Sequence, residues 1–321
     1  ATRLPPMPKT GKIPQTSSGA PPAPSAESAN NRMAFQIFAD ATADLTGSFA
    51  EELSAVKVIP MQVEICGRNY TYGPGGDLSI SEFYKMQREG NFASTSQINP
   101  ATYADYFRHV LLEGKDVLYL SFSSGMSATF QSAQIAAQEL QEQFPERKVI
   151  CVDTLGATLS EMLLLREAID MQRKGTDIET VAAWIEENRL KVCVWFVVDT
   201  FDHLHHGGRV SAATAAVGTM LNIKPMLHID ANGKLENTSK PRGRKRAMLT
   251  LLSKMEQGWN SDFSKTVTIV HADDSQGAEE LKRLVAQKFP KAEIEIGDLG
   301  PVIGAHTGPG LLALIYWGNN R

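Results

Sequence analysis

The sequence lacks most of the patterns that announce a catalytic, secreted or membrane class. Its 321 residues contain three cysteines, Cys66, Cys151 and Cys193. That odd number without paired spacing excludes a disulfide framework and a cysteine-built zinc site. It implies free thiols in a reducing, cytoplasmic setting. No apolar run reaches the roughly 18 residues that cross a bilayer, so stable membrane insertion is not expected. A formal net charge of -4 leaves no broad attraction to nucleic acid or anionic lipid. Neither a Walker A loop nor a Rossmann glycine fingerprint is present. Gly73-Pro74-Gly75-Gly76 opens no helix and reads as a turn.

What is there divides into an extension and two α/β segments. Residues 1–33 hold seven of the sixteen prolines, many small polar residues and few large apolar ones. Such a stretch cannot bury enough surface to offset its ordering entropy and reads as disordered, with Met33 a candidate natural start. From Ala34 the chain alternates apolar strands with amphipathic helices to about residue 190. This rhythm predicts a mostly parallel sheet with helices on both faces. Residues 191–321 follow a different pattern, with strands near Val192 and Met226, an Asn232-Gly233 hairpin turn, then further helices and strands. They predict a smaller α/β domain with a mixed sheet.

Three turns carry the candidate chemistry, each offering hydroxyls or backbone N–H groups after a strand. They are Ser94-Thr95-Ser96-Gln97, Ser123-Ser124-Gly125-Met126-Ser127, and His306-Thr307-Gly308-Pro309-Gly310. Strand ends and helix N-termini in such sheets favour anions. Ser127 alone reads as a helix N-cap, while the pair Ser123 and Ser124 exceeds what one cap needs. His306 sits on a tight polar turn between apolar stretches, open to two readings: a core histidine, or a contact to a polar head group. A small α/β serine hydrolase acting on acyl esters through Ser124 and His306 is the alternative function. It is weakened because Ser124 lies outside a G-x-S-x-G elbow and no third residue evidently orients the imidazole. The run Asp202-His203-Leu204-His205-His206 reads as structural or surface histidines, with no metal site. Gly207-Gly208 lets Arg209 approach something anionic. The run Lys240 to Arg246 is dense in charge but has no aromatic platform for nucleic acid.

Taken together these segments resemble the DegV family of bacterial fatty-acid-binding proteins that serve fatty acid kinases. The resemblance runs from about Phe35 to Trp317. It rests on Thr95-Ser96-Gln97, Ser123 to Ser132, Gly207-Gly208-Arg209-Val210, Lys224-Pro225, Arg242 to Arg246, and His306 to Gly310. It implies a two-domain α/β fold with a tunnel between the domains for one long-chain fatty acid. It implies that Thr95, Ser124 and His306 hydrogen-bond the carboxylate, and that Ser96, Ser123, Gly125 and Thr307 shape the pocket. Arg209, Arg242 and Arg244 would face a partner kinase or an acyl-phosphate. The chain would then be a carrier, with the fatty acid as ligand, no cofactor, and the kinase supplying the chemistry. Two departures stand out. Ala39-Asp40-Ala41 replaces the family's Thr-Asp-Ser, thinning any polar network there, and Ile98 replaces the proline that often follows Thr-Ser-Gln.

Overall fold

The computed structural model describes residues 34–217 and 221–321; the extension expected to be disordered, residues 1–33, lies outside them. The first part contains strands β1 (Phe35–Asp40), β2 (Lys57–Ile59), β3 (Met61–Ile65), β4 (Arg68–Tyr72), β5 (Ala93–Ser96), β6 (Asp116–Ser121) and β7 (Val149–Asp153). Its helices are α1 (Gly47–Glu52), α2 (Ile80–Arg88), α3 (Pro100–Leu112), α4 (Thr129–Gln143), α5 (Leu159–Arg173) and α6 (Ile178–Asn188). The second part adds β8 (Val192–Val197), β9 (Met226–Ile229), β10 (Leu235–Ser239), β11 (Thr266–His271), β12 (Glu293–Asp298) and β13 (Leu312–Trp317). Its helices are α7 (Asp202–His206), α8 (Ala212–Val217), α9 (Arg244–Gly258), α10 (Ser275–Lys288) and α11 (Pro301–Thr307).

A wholly parallel four-stranded sheet in the order β2-β1-β6-β7 forms the first core. Its strands read as continuous apolar runs because both faces are covered. The segment from Val56 to Ile65 alternates like one strand, yet it divides at Pro60. Residues before it join the parallel sheet, and residues after it join an antiparallel sheet in the order β4-β3-β5. Proline offers no N–H to a ladder, so the break falls there. Ser79 caps α2 in a reciprocal capping box with Glu82, fixing the start of the helix at Ile80. Helix α4 begins at Thr129 and not at Ser127, because the Ser127 hydroxyl accepts the Thr129 N–H and closes a local turn.

The second sheet has six strands, β10-β9-β8-β13-β11-β12, with only β11 and β12 parallel. Its two faces follow the period of two along each strand. Val192, Val194, Phe196, Ala313 and Ile315 turn toward the first part. Cys193, Leu312, Leu314 and Tyr316 turn toward α9 and α10, where they meet Leu251, Met255 and Leu281. Helix α5 contacts β6 of one sheet and β8 and β13 of the other. Every residue from Leu159 to Leu165 is buried, as expected for a helix covered on all sides.

Candidate functional site

An apolar cavity of about 330 Å³ lies between the two large sheets. Phe122, Val194, Phe196, Leu311 and Ala313 are among its greasy lining residues. Its polar lining residues are Thr95, Ser96, Gln97, Ser127, Thr158, Arg209, His306 and Thr307, and its polar end is the one where Thr95 meets His306. Helix α11 runs along one wall. Its residues Val302, Ile303, His306 and Thr307 face the cavity, a set of positions that shares one side of a helix.

The sequence suggests a tight polar turn at His306; the structure places this residue in the last turn of α11. The helix starts with Pro301 at its first position, where a missing N–H costs nothing. It stops at Gly308, whose φ of +77° only glycine adopts readily. Packing supports this short helix from outside: the Tyr84 hydroxyl donates to the Leu299 carbonyl at 2.8 Å, and Gln87 Nε2 donates to the Gly304 carbonyl at 3.0 Å. A side chain at Gly304 would come within 2.4 Å of the Tyr84 hydroxyl oxygen.

His306 Nε2 and Thr95 Oγ1 are 2.7 Å apart, joining α11 to the end of β5. His306 Nδ1 is buried without a hydrogen-bond partner among the described residues. Burial, reinforced by the charges of Arg209 and His206, pushes the imidazole down to about 3, so the ring is neutral at pH 7. An orphaned N–H is costlier than an orphaned lone pair, which favours the tautomer with its proton on Nε2. Nε2–H then donates to Thr95 Oγ1, and the threonine hydroxyl proton is free to be donated into the cavity. Behind the ring lies Gly207, where an added Cβ would stand 2.3 Å from His306 Nδ1. The sequence suggests that the glycine pair makes room for Arg209. In the structure Gly207 makes room for the imidazole, and Gly208 supplies a φ of +74°.

The remaining sequence candidates separate. Ser96 and Thr307 line the polar end with Thr95 and His306. Ser124 is exposed and is not among the residues that line the cavity; its amide donates to Asp153 Oδ1 at 3.2 Å. Ser123 is buried and donates to the Gly233 carbonyl at 2.7 Å, while Gly125 presses on the same hairpin, with room for no Cβ. These two residues fasten the β9–β10 turn to the end of β6. The hydroxyl of that loop at the cavity is Ser127, for which the sequence suggests only a capping role. Gln97 and Met126 also line the cavity. Sequence reasoning misses both, the first because it lies within a motif led by hydroxyls and the second for want of any polar signal. Arg209 is exposed at the polar end, and among the described residues no carboxylate pairs with it. Arg242 is exposed. Arg244 is tied down internally: it contacts Asp199 at 3.2 Å and Asp274, and it donates to the Gly310 carbonyl at 2.6 Å. His206 stacks on Phe92 and His203 packs against the same ring at a tilt, and among the described residues no cluster of His, Cys, Asp or Glu is arranged for a metal ion. Nor is any described helix long and apolar enough to cross a membrane.

Asp40 shows how the Ala39-Asp40-Ala41 departure is accommodated. Its carboxyl accepts from the Thr42 amide at 2.9 Å, from the Thr42 hydroxyl, and from the Tyr119 hydroxyl at 2.5 Å. Thr42 Oγ1 also lies 2.9 Å from Glu161 Oε1. One hydroxyl proton cannot serve two carboxylates, so one of the two acids must be protonated and donate. Burial raises the pKa of both.

Comparison with known proteins agrees with this architecture. A family model described as "Uncharacterised protein, DegV family" matches residues 34–319. A DegV domain-containing protein of Clostridium perfringens is 37% identical over 287 residues, covering 89% of this chain and 98% of the relative. Among solved structures, a DegV family protein of Thermus thermophilus, described for its fatty acid binding, superposes with a TM-score of 0.78 at 32% identity, covering 89% of this chain and 100% of its own. A protein of Thermotoga maritima, described as revealing a fatty acid binding function, gives a TM-score of 0.73 at 31% identity, covering 89% of this chain and 99% of its own. With the match running through nearly all of the described residues, the chain belongs to the DegV family.

Proposed function

We propose that this protein binds a long-chain fatty acid in the cavity between its sheets, with the carboxylate at the Thr95–His306 end. The observation that carries the reading is an apolar cavity into which a hydroxyl and a neutral imidazole, bonded to each other, both face. A cavity of this size and lining suits a small apolar ligand with a localised polar head. Thr95 donates directly to the carboxylate, His306 orients Thr95, and Ser127 and Ser96 stand beside them. Arg209 supplies the positive field at the mouth. The fatty acid binding described for the Thermus and Thermotoga relatives points the same way. Hydrolysis is a poorer fit, because His306 lines the cavity and Ser124 does not, and the imidazole is engaged by a threonine.

Native mass spectrometry of gently purified protein should release a fatty acid, and delipidated protein should take up palmitic or oleic acid. Neither release nor uptake would sink the reading. A charge-assisted hydrogen bond is worth roughly 1.5–3 kcal/mol, so Thr95→Val should weaken binding about tenfold or more. In the same reading the bound acid is presented to a separate kinase, with Arg209 and Arg242 as the exposed cations for docking. An ATP-dependent kinase should phosphorylate the acid held by the wild type and fail with Arg242→Glu, whose acid binding stays intact. Equal turnover of the two would remove Arg242 from the docking face.

A further inference from the structure

The far end of the cavity is closed by an unusual piece of the second sheet. The β8–β9 ladder runs from Val197↔Met226 to Trp195↔His228; Val194 and Ile229, the next residues, lie past its end. Both line the acyl cavity, and both also line a second cavity of about 120 Å³ beside Trp195, His228 and Lys254. Arg321 also lines the second cavity. It donates to the carbonyls of Val192, Leu155, Asp230 and Arg189, so one side chain joins β8, the hairpin and the first part beyond the end of the β8–β9 ladder. The polar end is remote from here. Strand β8 leads from Val194 toward Val198 and α7, which packs on α11, and those four residues span ~13 Å.

We infer that Val194 and Ile229, braced by Arg321, form the partition that stops the methyl end of the ligand and sets its maximum chain length. This rests on the fatty acid reading above. It assigns the length limit to two side chains and one strut, with a further cavity behind them into which a longer chain would extend if the partition were thinned.

Binding should be measured by competition across straight-chain saturated acids from lauric to lignoceric. For the wild type, affinity should rise with length to a limit and then fall. Ile229→Ala should move that limit toward longer acids, with about a tenfold gain for acids two methylenes past it. Arg321→Ala should move it in the same direction, and Val194→Phe should move it toward shorter acids. Because Val194→Phe fills space and does not empty it, the limit can be read even if Ile229→Ala fails to fold. A wild-type limit left unchanged by the substitutions would overturn the partition while leaving the fatty acid reading standing. A wild type that binds none of the series would overturn the fatty acid reading itself.

Discussion

At the scale of single residues, the chemistry of the polar end depends on a residue with no side chain. His306 can hold Thr95 only while its ring occupies the space over Gly207, where a Cβ would stand 2.3 Å from Nδ1. That approach is closer than any real Cβ contact, and the imidazole is the softer partner. Gly207→Ala should therefore rotate His306 away from Thr95 and weaken fatty acid binding by about tenfold, the value of one charge-assisted hydrogen bond. The overpacking should cost about 1–3 kcal/mol of stability. Isothermal titration with oleic acid, alongside chemical denaturation, measures both. Wild-type affinity in the Gly207→Ala protein would mean that the imidazole does not orient the site. By contrast, Gly208 faces open space, and its requirement is for backbone angle alone.

At the scale of elements, local signals were legible wherever local chemistry decides the outcome. The Asn232-Gly233 hairpin and the buried runs of β1 and β6 follow from short-range pattern. Helix α11 does not. Its seven residues fall short of what is stable alone, and its form depends on Tyr84 and Gln87, more than 200 residues away in sequence. The serines of the β6–α4 loop were illegible for a related reason. Pattern located the loop, but the hairpin it would meet decided which hydroxyl was buried, which exposed and which turned to the cavity. Arg244 shows the same dependence within a run of like charges: Arg242 remains on the surface while Arg244 binds two carboxylates and a carbonyl. Removing that cation should cost ~1–3 kcal/mol, and Arg244→Lys should recover only part, because an ammonium lacks the planar fork that reaches all three acceptors. Arg242→Ala should change stability by less than ~0.5 kcal/mol. Urea unfolding of the three variants separates the roles, and equal losses for Arg242→Ala and Arg244→Ala would contradict them.

At the scale of the whole molecule, the space between the sheets holds acids as well as apolar surface, and their sum makes a pH signature. Asp44 is buried, takes hydrogen bonds from Thr158 at 2.6 Å and from Tyr72 at 3.4 Å, and burial pushes it up to about 7. Asp40 and Glu161 are raised by the same cause. A carboxyl whose folded pKa lies above its unfolded value stabilises the fold fully below the unfolded pKa. That contribution is lost as pH rises through the folded pKa. For Asp44 the loss runs from about pH 4 to about 7. His306 has the opposite sign: pushed down to about 3 from 6.5, it contributes above pH 6.5 and loses that contribution as pH falls toward 3. Between about pH 4 and 6.5 the two oppose each other. Above pH 6.5 the gains from His306 and from His203, whose imidazole burial also pushes down, taper off, while Asp44 goes on losing its contribution through about pH 7. Exposed carboxyls such as Asp77, Asp177 and Glu179 have lowered pKa values and titrate below this window. Wild-type stability should therefore decline as pH rises from about 6.5 to 7.5. Asp44→Asn, which keeps the volume and removes the titration, should reduce that slope by about 0.7 kcal/mol per pH unit near pH 7, where half of the folded Asp44 is protonated. Denaturation midpoints through this range for the two proteins provide the test; parallel profiles would mean that Asp44 stays ionised where the fold leaves it no room for charge.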